Sequence, residues 1–153
     1  MLTFDPNAPT AASTFVHEMN HADTKNSGNA ADPTKMSRAD YVNAKLAEDA
    51  HGEALAEQEH NELAAAGTPE AGNRNPFTGP VYDTASQQGA ANYRAAHPDA
   101  PQSEVDDAGR RAGEQAVLNN YQNGNVTTGN TGQTYLQYYG NRWDNANPPP
   151  PGP

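Results

Sequence analysis

Apolar positions recur at three- and four-residue intervals in several segments of the chain, and clusters of turn-forming residues separate these segments. The first such segment, led in by alanines and threonines from Ala8, carries Phe15, Val16, Met19 and Ala22. It predicts a helix ending between Asp23 and Asn26, where Asn26-Ser27-Gly28-Asn29 supplies turn chemistry. A second and longer helix is predicted from about Arg38 to Ala66. Tyr41, Val42, Lys45, Leu46, Asp49, Ala50, Glu53 and Ala54 fall at helical spacing along it, Ser37 with Asp40 forms a capping-box variant at its start, and Gly67-Thr68-Pro69 stops it. Further helices are expected from about Thr84 to Ala96, with Asp83 as N-cap, and from a second capping-box variant at Ser103 and Asp106 to about Tyr121. His97-Pro98 breaks the chain between them. Tyr135 to Trp143 gathers Tyr138, Tyr139 and Trp143, a spacing that packs one helix on its neighbours. Two short strands, Leu2 to Asp5 and Val126 to Thr128, are all the β structure expected.

This pattern predicts a mainly α fold with long irregular loops, the latter implied by 13 Pro and 13 Gly and many Asn, Asp and Thr. The length of 153 residues suits one domain, placed at 1–146, followed by a Pro-rich disordered tail at 147–153 of polyproline character. The Met1 start and the proline-rich end suggest a domain cut from something longer. Apolar residues make up 34%, so the core is modest and a metal tying two helices together would help it. A net charge of −10 with nine Lys and Arg argues against nucleic acid and against anionic membrane surfaces as partners. Zero cysteine excludes disulfides and thiolate metal sites. No apolar run approaches 18 residues, and the N-terminus lacks the pattern of a signal peptide.

The chemistry lies in the first helix. Thr14-Phe15-Val16-His17-Glu18-Met19-Asn20-His21-Ala22 contains His-Glu-x-x-His. Residues four apart share a helix face, so His17 and His21 present their imidazoles to one point and can hold a zinc ion there. Glu18 sits one step round, placed to take a proton from water without being a ligand. With five His and nine Glu in the chain, the pattern arises by chance about 0.01 times per sequence.

A hydrolytic zinc site generally has three protein ligands and one open position. Without cysteine the third is Glu, Asp or His, and the acidic second helix is its natural source. Glu48 is the first choice, because Gly52 four residues later lets a second backbone come close. Asp49, Glu53, His51 and His60 are the alternatives. An oxyanion formed during amide hydrolysis needs a further donor. Tyr138 is the phenol singled out, with Tyr135 and Tyr139 beside it, and His97 or Arg142 would offer a cation. The aromatic residues more often pack a core, while His97, His51 and His60 read as solvated, His51 with a supporting role near a ligand as its alternative. A His-Glu-x-x-His helix followed by a glutamate on a second helix is the gluzincin arrangement.

Phe15-Val16-His17-Glu18-Met19-Asn20-His21-Ala22, Tyr41-Val42 with Glu48-Asp49-Ala50-His51-Gly52, and Tyr138-Tyr139-Gly140-Asn141-Arg142-Trp143 resemble bacterial effector metallopeptidases. These are C-terminal toxin domains of type VI secretion spike (VgrG) and polymorphic-toxin proteins. The resemblance spans about residues 2 to 144, and only His-Glu-x-x-His is highly specific. It implies a zincin-like fold with Zn2+ held by His17, His21 and Glu48, and Glu18 as catalytic base. It also implies delivery into a rival cell by a secretion machine, without a signal peptide, together with a spike carrier and a cognate immunity protein. The expected activity is hydrolysis of peptide bonds in a protein or peptide substrate, with an acidic surface mildly favouring neutral or basic ones. Two rivals stand beside it. One is a non-catalytic acidic helical adaptor whose metal is structural or missing, and the other is a zinc amidase acting on cell-wall peptides.

Overall fold

The computed structural model describes residues 11–68 and 74–149, with side chains from residue 14 onward. Five helices make up the fold: α1 (Ala11–Asn26), α2 (Arg38–Ala65), α3 (Gly79–Ala96), α4 (Gln102–Gln122) and α5 (Tyr135–Ala146). The mainly α expectation holds. The one β feature among the described residues is an isolated antiparallel bridge between Thr127 and Thr134, where a strand over Val126 to Thr128 was expected. The expected strand at Leu2 to Asp5 and the tail from Pro150 onward lie outside the described residues.

The 28-residue α2 is the spine. Its hydrogen-bonding ends are closed by its own sequence. Ser37 accepts from the Asp40 amide at 3.1 Å. At the other end Gly67, at φ +74°, lets the amides of Gly67 and Thr68 turn back to the carbonyls of Ala64 and Leu63. That is a Schellman stop, which needs a residue free to adopt the left-handed region. Along the spine Tyr41, Val42, Leu46, Asp49, Ala50 and Ala54 are buried at helical spacing, and α1, α4 and α5 pack around it. The core joins Leu46, Val117 and Val126 to an unusual share of tyrosines, Tyr41, Tyr82, Tyr121 and Tyr139. Apolar burial drives this packing, and each phenol brings a polar tip that needs a partner.

α3 and α4 form an antiparallel hairpin whose seam is lined by small residues. A Cβ on Gly113 would meet the Tyr82 ring at 2.6 Å, and one on Gly109 would meet the Ser86 carbonyl at 3.0 Å. α3 begins at Gly79, five residues before the expected start. Pro80 sits in its first turn, where the missing N–H has no helical acceptor to lose, so Gly79-Pro80 opens the helix rather than ending the preceding loop. Asp83 is therefore inside α3 and is not its cap; it accepts from Arg74 and Asn61 instead. Likewise α4 starts at Gln102 after Pro101, with no side-chain cap from Ser103. α5 carries a full reciprocal capping box between Thr134 and Gln137, both bonds at 3.1 Å.

Replacing Gly113 by valine should force the Tyr82 ring out of the seam and cost about 1–3 kcal/mol. A lowered urea midpoint would be the readout, and an unchanged midpoint would show that the seam has slack.

Candidate metal centre

The floor of the centre comes from α2 and its lid from α1. The two helices approach closely at Gly52, where a Cβ would lie 3.1 Å from Asn20 Nδ2 and 3.2 Å from His17 Nδ1. The Asn20 amide donates to the Glu48 carbonyl at 3.0 Å, which fixes the register. One helical turn then stacks the imidazoles of His17 and His21 edge to face, with ring centroids 4.8 Å apart.

Three ligand-type atoms converge between the helices. His17 Nε2 and His21 Nε2 are 3.1 Å apart. Asp49 Oδ1 lies 3.3 Å from His21 Nε2 and 4.0 Å from His17 Nε2. These three residues form a group that could hold a metal ion. The spacing suits a small tetrahedral cation, since ligand bonds of about 2.0–2.2 Å set neighbouring ligand atoms about 3.3 Å apart. Asp49 is almost wholly buried, at 2% exposure, where an uncompensated carboxylate would be costly.

Each converging residue is held from behind. The second oxygen of Asp49 accepts a short hydrogen bond from the Tyr139 hydroxyl. His21 Nδ1 meets Glu48 Oε1 at 2.7 Å, and Lys45 Nζ donates to Glu48 Oε2 at 2.5 Å. His17 Nδ1 faces Glu53 Oε2 at 3.4 Å. The other oxygen of Glu53 accepts from Asn75 at 2.6 Å and from Thr78 at 2.7 Å. With an ion bound, the carboxylates behind both histidines would keep the proton on Nδ1 and turn the lone pair of Nε2 inward, as ligand histidines require. His17 Nδ1 is buried without a completed hydrogen bond. A shift of a few tenths of an ångström toward Glu53 would complete it, so the donor set and its support fit a divalent ion.

The electrostatics agree. His21 is raised to about 9, chiefly by Asp49, with burial opposing and Glu48 adding to the rise. Burial pushes Glu48 up, but Lys45 and His21 outweigh it and hold the carboxyl below its ordinary range. Glu53 is lowered likewise, burial being overcome by His17, Thr78 and Asn75. The three carboxylates favour a cation between them.

No protein-family model matches this chain, and no curated protein or solved structure matches it either.

His17 and His21 converge as the motif predicts. Glu48, the first choice for third ligand, stands instead behind His21, and Asp49 occupies the inward position. The reason is helical phase: Asp49 continues the buried row of Val42 and Leu46, whereas Glu48 lies one step outward, in reach of Lys45. Glu18 is exposed beside the histidines and forms no hydrogen bond or ion pair among the described residues. Tyr138, singled out as a donor, accepts from Arg142 at 3.4 Å and bonds to none of the converging residues. The phenol that reaches the centre is Tyr139. Tyr135 stands nearby, its hydroxyl pushed up by burial and by the charges of Asp49, Glu53, Tyr138 and Glu18. His51 pairs with Glu114 at 2.9 Å, and His97 stacks on Tyr93. Glu53 with Thr78 and Asn75 was not foreseen as a support for His17. Nothing local in the sequence links residues 75–78 to residue 17.

Zinc titration should distinguish the inner residues from those behind them. His17→Ala, His21→Ala and Asp49→Asn are each expected to abolish stoichiometric uptake, whereas Glu48→Gln should loosen it about 10–100-fold. The reverse order would make Glu48 the ligand. Uptake should also tighten with pH. Protonated His21 stabilises the metal-free protein fully below its ordinary value of 6.5, and that contribution is lost as pH rises through about 9. Zinc must displace this proton, so affinity is expected to climb up to about tenfold per pH unit between those limits. Calorimetry in buffers of different ionisation enthalpy would count the proton released.

Proposed function

We propose that the chain is a zinc-dependent metallopeptidase whose metal is held by His17, His21 and Asp49 and whose general base is Glu18. The observation that carries this reading is the convergence of two imidazole nitrogens and one buried carboxylate oxygen, the imidazoles on the helix of a motif glutamate that forms no hydrogen bond or ion pair among the described residues. Hydrolytic zinc sites take three protein ligands, the number this group supplies among the described residues, and this favours catalysis over a purely structural ion. Zinc in such a site polarises a carbonyl and makes water acidic enough to lose a proton near neutral pH.

The chain's own residues divide the remaining work. His21 Nδ1 keeps its proton toward Glu48, and His17 Nδ1 keeps its proton toward Glu53, so both Nε2 atoms stay neutral donors. Tyr139 leaves Asp49 Oδ1 free by occupying Oδ2. Glu18 takes one proton from water and returns it to the amide nitrogen as the C–N bond breaks. The products are one carboxylic acid and one amine, and Glu18 ends as it began. Tyr135, whose hydroxyl is pushed up by burial and by the charges of Asp49, Glu53 and Glu18, suits the role of oxyanion donor better than Tyr138, whose oxygen accepts from Arg142.

The resemblance to effector toxins extends the proposal. A secretion machine would deliver the chain into a target cell, where it would cleave protein or cell-wall peptides, and an immunity protein would restrain it in the producer. Fold-level naming as zincin-like belongs to the same proposal.

Glu18→Gln decides the catalytic part. Zinc uptake should match wild type while peptide hydrolysis falls about 10²–10⁴-fold. A variant that takes up zinc and cleaves at the wild-type rate would overturn the assignment. Growth of bacteria expressing each protein in cytoplasm or periplasm tests the toxin role, with inhibition by wild type and recovery with Glu18→Gln as the expected pair.

A further inference from the structure

α1 is anchored unlike any other helix of this fold. Helices dock by burying an apolar face, because that is where tertiary packing gains its free energy. From Thr14 to Asn26 no residue of α1 is buried, and the hydrophobic core draws nothing from it. Among the described residues its substantial packing is against α2 alone. Phe15 and Met19, its large apolar side chains, are about half exposed. Its inner face meets α2 through polar contacts: Asn20 on the Glu48 carbonyl, His21 on Glu48 and Asp49, and His17 beside Asp49 and Glu53. Such bonds stabilise a docked helix less than buried apolar area does, since water makes equivalent ones when it is undocked. At 16 residues, α1 is also near the length at which an isolated helix is marginal.

The segment that follows is differently placed. Ala31 and Met36 pack against the core, so the chain is fixed again within a few residues of α1. Between the end of α1 and Ala31 lies Gly28, at φ +76° with nothing within 4 Å of where a side chain would begin. A positive-φ glycine in open space is a natural pivot.

We infer that α1 is a metal-operated latch: zinc bound between His17, His21 and Asp49 docks the helix on α2, and without zinc the helix swings away on Gly28. This rests on the metal centre proposed above. Two of the three ligands come from α1 and one from α2, so every metal bond to Asp49 is also a tie between the two helices. The free energy of zinc binding thereby becomes free energy of docking. Glu18 lies on the same helix, so the base and the ion reach the cleft in a single event, and the zinc-free chain carries no assembled site.

Hydrogen exchange of the full chain, read by mass spectrometry with zinc and after stripping by EDTA, tests this. Amides of residues 15–26 should exchange at least about tenfold faster after stripping, while those of α3 and α4 stay unchanged, as expected for a local opening. Adding zinc back should restore protection. Asp49→Asn leaves α1 intact and should exchange fast there whether or not zinc is present. Protection of α3 and α4 in that variant reports that it folds, and the wild-type comparison decides the matter if it does not. Equal protection of α1 with zinc bound and removed would overturn the latch and leave the metal centre standing. Failure of wild type to take up zinc would overturn both.

Discussion

A buried carboxylate on the central helix is the constraint from which the rest of this structure follows. Asp49 sits on the row that carries Val42 and Leu46 into the core. An ionised group there is tolerable only with hydrogen-bond donors and positive charge close by. Tyr139 supplies a donor from α5, and the two histidines of α1 supply the rest. Three helices are therefore arranged about one side chain. With α1 against α2, the imidazole of His21 faces both Asp49 and Glu48, which is why that ring binds its proton so firmly.

Around this centre the polar groups form a second layer that reaches well beyond it. Glu53 has one oxygen toward His17 and the other on Asn75 and Thr78. Glu57, buried one turn further along α2, accepts from Arg74 at 2.6 Å. Burial pushes the Glu57 carboxyl up despite that partner. Arg74 also binds Asp83 and the Gly79 carbonyl, so a single guanidinium joins the spine to the first turn of α3. Guanidinium geometry suits this work because its donors point in fixed directions. The small hydrophobic core is thus supplemented by a connected polar network. Such a network specifies one arrangement only when every member is satisfied.

Much of this could be read from residues alone, and the misses have physical causes. Helical periodicity located α2 from Arg38 to within a residue of its end, and the spacing of His17 and His21 brought their rings together as it must on any helix. Helix starts were harder wherever a tertiary contact replaced the local cap. Asp83 looks like an N-cap but is drawn to Arg74, and Pro80 opens α3 because a first turn tolerates it. The third inward residue was ambiguous because Glu48 and Asp49 are neighbours and only helical phase separates them. That phase was visible: an aspartate continuing an apolar row signals a buried charge with partners elsewhere. Tyr139 over Tyr138 is the same distinction on α5. The support of His17 by Thr78 had no sequence signal, since it depends on how the segment after residue 73 folds back on α2.

The seam between α3 and α4 has a consequence of its own. Where Gly89, Gly109 and Gly113 let backbone touch side chain directly, almost any added atom collides with a rigid neighbour. The outer face of α1, by contrast, presents half-exposed side chains to solvent. Tolerance to amino-acid change is accordingly very uneven along this chain. A lineage carrying this fold could redecorate the outer face of its first helix freely while keeping His17, Glu18, Asn20 and His21, yet would find the hairpin nearly frozen. Kinship between distant descendants would then survive as a row of missing side chains rather than as shared surface chemistry.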